Sequence, residues 1–271
     1  MTTRTLTPLS LCWLAGFLVL LAGGCVDAGN PGQVTPVSSV PPNLSEDELR
    51  DRLDRVLEDT YLRELTLKDH AAWQILHGAV AFKRDFLVRN EEGKIVSAVD
   101  HILEGGRMKG WTVRPGVLLD ETTGRRGLQA LLEEGTKSGQ GHVDQWLAIL
   151  SACELPHDQA VLLAGQTYTM SDYVDQAKFD VARNFTNEYS WTLIALTTYF
   201  PTDHRWISSD GQEWSTERVL ALEIEQPVNG AACGGTHRLG GVAMAINRHL
   251  AQGGELTGPW KQADELIQRH I

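Results

Sequence analysis

Three strongly apolar helical stretches begin near His142, Glu188 and His237, 46 and 49 residues apart, with a shorter and more polar helical stretch between successive members. A helix hairpin with one apolar face cannot bury that face alone, so this recurrence predicts stacked hairpins with apolar helices inside and amphipathic ones outside. The first stretch spans 142–153 and carries Val143, Trp146, Leu147 and Leu150 on one side. The second spans 187–200 with Tyr189, Trp191, Ile194, Ala195 and Leu196, and the third spans 237–250. The polar partners are expected at 172–183, after a Thr169-x-x-Asp172 start, at 215–225, and at 259–271, where Pro259 suits a first helical turn. Upstream, Ser45-Glu46-Asp47-Glu48 has the arrangement that caps a helix start, and Leu49, Leu53, Val56 and Leu57 follow at helical spacing. A second, antiparallel helix is expected from Thr66, with Trp73, Leu76 and Val80 as its buried stripe. Phe86 to Val88 and Ile95-Val96 flank Asn90 to Gly93 and predict one small β-hairpin near 86–99, while Gly105-Gly106, Gly110 and Pro115-Gly116 predict an irregular segment beyond it. The expected fold class is mainly α: helical-hairpin repeats in a curved or ring-shaped α/α array, or toroid.

The 271 residues, 42% hydrophobic and 22% charged, suit one compact domain or two small ones. Lys and Arg total 24 against 35 Asp and Glu, a net charge of -11, and such an acidic surface repels phosphate backbones, which argues against nucleic acid as a partner. The N-terminus behaves differently from the rest. Arg4 followed by the apolar run from Leu9 to Ala22 reads as a signal peptide, too short to span a membrane stably. Leu21-Ala22-Gly23-Gly24-Cys25 then resembles the processing site of bacterial lipoproteins. That resemblance implies removal of residues 1–24, lipidation of the Cys25 thiol, and an exported, membrane-anchored protein facing the periplasm or cell surface. Residues 25–44, rich in Pro, Gly, Ser and Val, read as a flexible tether to a helical domain at 45–271.

Ala232-Cys233-Gly234-Gly235-Thr236-His237-Arg238-Leu239, followed by Gly253 to Trp260, resembles repeats of the α/α-toroid proteins of the terpenoid cyclase and protein prenyltransferase type, over roughly residues 127–271. The resemblance implies architecture alone. The Asp-x-Asp-Asp motif of the cyclases is missing, and Ser151-Ala152-Cys153 stands where the prenyltransferases use an Asp-x-Cys zinc pair.

Beyond Cys25, the exported part holds only Cys153 and Cys233, each followed four residues on by a histidine, His157 and His237. Two thiolates and two imidazoles can complete a zinc tetrahedron. An oxidising compartment favours a Cys153–Cys233 disulfide instead, and two buried free thiols are the third reading. His142 and Cys153, eleven residues apart, are expected on one helix face, and His70, Trp73 and His77 on another. Glu188-Tyr189-Ser190-Trp191 places an acid, a phenol and an indole at the head of an apolar helix. There Glu188 can act as general acid or base, with His142 or His237 as its catalytic companion, while Trp73, His77, Asp144, Tyr189 and Trp191 form a ligand surface. Three functions are expected on these grounds. One is an envelope lipoprotein that binds a protein, peptide or glycan in a concave face. Another is a polysaccharide lyase or hydrolase, for which Asp144, Asp175 or Asp180 supplies a second carboxylate. A zinc enzyme built on the Cys/His set is the third.

Overall fold

The computed structural model describes residues 44–184 and 188–270. Cys25, the signal peptide and nearly all of the tether lie outside them. No helix among the described residues is long and apolar enough to cross a membrane.

The chain divides at residue 64. The first unit contains α1 (Glu46–Tyr61), whose start is fixed as the sequence predicts: Ser45 accepts from the Glu48 amide and the Glu48 carboxylate accepts from the Ser45 amide. None of its residues is buried.

The second unit, from Leu65, is built on a repeated motif of helix, short antiparallel hairpin and helix. The first copy is α2 (Ala72–Phe82), β1 (Leu87–Arg89), β2 (Ile95–Ser97) and α3 (Ala98–Leu103). The next is α4 (Gln145–Ala152), β5 (Ala160–Leu163), β6 (Gln166–Thr169) and α5 (Met170–Asp180). The third is α6 (Ser190–Tyr199), β7 (Arg205–Ile207), β8 (Glu213–Ser215) and α7 (Thr216–Ile224). The last pair, α8 (Thr236–Ala251) and α9 (Gly258–His270), is joined without a hairpin. In all three hairpins the final strand residue, Ser97, Thr169 or Ser215, is also the N-cap of the helix beyond it, so strand and helix share one residue. The central pair of each hairpin, Val88 with Val96, Val161 with Tyr168 and Trp206 with Trp214, includes at least one side chain buried in the core.

A longer hairpin, β3 (Trp111–Asp120) with β4 (Arg125–Leu132), is inserted between the first two copies and packs on α5. It occupies the segment expected to be irregular. Pro115 and Gly116 sit where the pairing register shifts, a place in a two-stranded ribbon that tolerates proline.

These hairpins overturn the mainly α expectation. The structure is about 49% helix and 19% strand, with four separate two-stranded sheets among the described residues, and is mixed α/β rather than a mainly α toroid. The apolar helices do recur: Gln145, Ser190 and Thr236, their first residues, lie 45 and 46 positions apart, and α4 packs on α6 as α6 packs on α8. The helix expected from Thr66 begins only at Ala72. His70 lies in the preceding turn, its Nδ1 held at the Thr66 backbone, away from the face that Trp73 and His77 share.

Candidate functional site

Three helix starts converge, and each brings one side chain to the same point. His142 precedes α4, Glu188 precedes α6 by two residues, and His237 is the second residue of α8. His237 Nδ1 lies 3.4 Å from Glu188 Oε2, and His142 Nδ1 lies 3.8 Å from the same oxygen. A ligand atom from each of the three falls within 4.8 Å of the others, and no other such cluster of three or more His, Cys, Asp or Glu occurs among the described residues.

The local backbone explains the placement. Gly141 and Asp144 both have positive φ, at 139° and 60°, and between them they turn His142 away from the axis of α4. His142 and Cys153 therefore do not share a helix face, contrary to the expectation, because the helix starts only at Gln145. On the other side, a Cβ added to Gly241 would fall 2.7 Å from the Ser190 carbonyl oxygen, so α8 crosses the start of α6 at backbone contact. Gly241→Ala is expected to destabilise the chain by about 1–3 kcal/mol through overpacking, measured by urea unfolding, and to move His237 away from Glu188.

The cluster is buried. His237 is 3% exposed and Glu188 8%, while His142 keeps some surface. Both Glu188 oxygens and both His237 ring nitrogens lack hydrogen-bond partners of acceptable geometry. Buried polar atoms are nearly always satisfied, so four orphans in one place mark a site organised for something other than internal packing. Trp191 packs beside both imidazoles, with ring centroids 4.8 Å from His237 and 6.0 Å from His142, while the two imidazoles meet edge-on at 4.8 Å, and the Trp191 indole N–H is also buried without an acceptor. His77, on α2, donates from Nδ1 to the Trp73 carbonyl at 2.5 Å, and this bond fixes the tautomer that leaves the lone pair on Nε2.

Burial raises the Glu188 carboxyl, but the adjoining His237 and the charges of His142 and Arg238 outweigh it and hold the group below the usual range. Burial and the neighbouring His237 lower His142, against the pull of Glu188, and burial with the nearby His237 and His142 lowers His77, against its bond to the Trp73 carbonyl. Near neutral pH Glu188 is thus a carboxylate and His142 an unprotonated imidazole, the states in which such side chains bind metal ions. The cluster's donor set, two His and one Glu, is one that catalytic zinc sites use while keeping a fourth position open.

Beside the cluster lies a cavity of about 300 Å³, and His142 is part of its wall. Asp144, Asp180, Trp111, Trp146 and Tyr173 face it as well. Burial pushes the Asp144 carboxyl up to about 6, although Thr192 donates to it at 2.6 Å.

The remaining candidates are placed elsewhere. Cys153 is a buried thiol at the end of α4 that donates to the Ala79 carbonyl at 3.4 Å, and burial pushes it up to about 12. Cys233 is half-exposed and in no disulfide, in the turn before α8, and His157 packs on Tyr199 and Phe200. The expected zinc set of Cys153, His157, Cys233 and His237 does not assemble, and the Cys153–Cys233 disulfide is not formed. Cys153 is tied by its helix end to α2, whereas Cys233 belongs to the entry of α8. Tyr189 is a core residue whose hydroxyl donates to the Val181 carbonyl and whose amide donates to Glu223. Glu223 is the charged group that sequence reasoning misses. It is fully buried and paired with Arg238 at 3.0 Å, and its only sequence signal is an acid at a core position of α7. Comparison with protein-family models, curated proteins and solved structures gives no match.

Proposed function

We propose that the chain is an exported lipoprotein, acylated at Cys25, whose folded part is a metal-dependent hydrolase using one zinc-type divalent ion held by His142, Glu188 and His237. The observation that carries this reading is the convergence of those three side chains, two of them buried with no other polar partner. When bound, such an ion makes a water molecule nucleophilic near neutral pH and polarises the bond to be cleaved.

The chain supplies the rest. The amide-bearing ends of α4, α6 and α8 face the cluster, and their dipoles favour negative charge there. The Trp191 indole N–H, buried and without an acceptor, is a donor for an oxygen that becomes negative during the reaction. His77 supports the cluster from α2 in a fixed tautomer, and the partly open side of His142 gives access through the adjoining cavity. Lipid at Cys25 is supported by the Leu21 to Cys25 motif alone, and the acidic surface fits an envelope protein that does not engage nucleic acid.

The test is elemental analysis of the purified chain with hydrolysis of an activated aryl ester before and after chelation. One equivalent of zinc, with turnover lost on chelation and restored by zinc, is the expected result. A chain that takes up no divalent metal under any loading condition overturns the reading.

A further inference from the structure

The cavity beside the cluster has a chemical bias that points to a substrate class. Three carboxylate side chains line it, Asp144, Asp180 and Glu134, and no lysine or arginine is in its described lining. Asp144 lies between His142 and α4, in contact with Thr192. Asp180 accepts from the amides of Gln129 at 3.0 Å and Gln176 at 2.5 Å, and Arg183 reaches its other oxygen at 3.3 Å. Both carboxylates are thereby fixed in place. The remaining wall is aromatic, from Trp111, Trp146 and Tyr173. Trp146 is 2% exposed and Tyr173 3%; the Trp146 indole N–H lies by the Tyr173 hydroxyl oxygen, and the Tyr173 O–H itself has no acceptor of acceptable geometry. Acidic groups within aromatic walls attract a cation through both charge and ring faces. A buried donor at the same cavity asks for an acceptor, such as a carbonyl, close to that cation.

We infer that this cavity holds the amino terminus of a peptide, its ammonium group at Asp144 and Asp180 and its first carbonyl toward the Tyr173 hydroxyl. The cleavage of a peptide bound in this way rests on the hydrolytic reading. His142 belongs to both the cavity wall and the metal cluster, so the first peptide bond is the bond offered for cleavage. Water adds across it, the carbon–nitrogen bond breaks, the hydroxyl stays on the carbonyl carbon and the proton goes to the departing nitrogen. The products are one free amino acid and a peptide shortened by one residue.

Binding separates from catalysis experimentally. Tri-alanine with a free amino terminus and its N-acetylated form are titrated by calorimetry into the metal-free full chain, alongside a neutral disaccharide. The free form is expected to bind at least ten-fold more tightly than the acetylated one. Asp144→Asn combined with Asp180→Asn is expected to remove that preference while the variant still takes up zinc. Asparagine tolerates the positive φ at position 144 and retains an acceptor for Thr192, and the unchanged zinc content reports a folded site. Equal binding of the two peptides, no binding of either, or tighter binding of the disaccharide overturns the inference even if zinc binds. Discrimination between the peptides in a chain that takes up no zinc supports the cavity assignment and overturns the hydrolytic reading instead.

Discussion

Zinc bound to the purified chain is expected to fall from one equivalent to background in Glu188→Gln, while the metal-free form of that variant is less stable than the metal-free parent at pH 7. The carboxylate is 8% exposed and burial alone would penalise it, but the adjoining His237, together with His142 and Arg238, outweighs that penalty and holds the group below the usual range. The fold therefore favours the charged form, and the neutral amide gives up that attraction. The parent's advantage is expected to shrink as pH falls through the carboxylate range, read by urea unfolding of both metal-free chains. Zinc at a hundred times its dissociation constant should stabilise the parent by about 2.7 kcal/mol and leave the variant unmoved. His237→Ala should also lose the metal. A metal-free Glu188→Gln chain more stable than the parent at pH 7 would contradict this account of the carboxylate.

Arg238→Met is expected to destabilise the chain by about 3–5 kcal/mol at pH 8 and by markedly less at pH 5. Arg238 meets Glu223 at 3.0 Å in the interior and also donates to the Pro227 carbonyl, while the second Glu223 oxygen accepts from the Tyr189 amide at 2.8 Å. Removing the guanidinium leaves a carboxylate with no exposed surface and no counter-charge. Burial already pushes Glu223 up to about 7 from its ordinary 4.5, despite Arg238 and the Tyr189 amide, which lower it. Between those two values the folded chain binds more protons than the unfolded one, so this group's contribution weakens as pH rises through that window. Without Arg238 the folded value climbs further, and protonation at low pH then removes the unpaired charge. Urea unfolding of parent and variant across pH 5–8 measures the difference, and a deficit independent of pH would contradict it.

How far the sequence discloses this molecule depends on the range of the interaction involved. Ser45 with Glu48 marks a helix start within four residues, and the structure places α1 there. Glu188, His142 and His237 each stand out at the head of an apolar stretch, so the members of the cluster are legible one by one. Their meeting is not, because it depends on Gly241 admitting the Ser190 backbone and on two positive φ angles ahead of α4. The zinc set built on Cys153 and Cys233 has the reverse fault: regular spacing along the chain, but thiols tied to different neighbours in space. Ala164-Gly165 and Asp210-Gly211 signal two of the short hairpins, yet strands of three or four residues are too brief for alternation to stand out beside strong helical periods. Proline and glycine at 115–116 read as a break because sequence alone does not distinguish a bulge in a two-stranded ribbon from a loop.

The residue shared by strand and helix in each repeated unit bears on how the chain reaches this state. A hairpin that ends in the cap of the next helix makes most of its contacts within a few dozen residues, and such low contact order favours rapid formation of each unit. His142, Glu188 and His237 stand at the entrances of three successive units. No intermediate lacking any one of those units holds the full donor set, and its assembly is therefore a late event, reporting on docking between units rather than on the formation of any one of them.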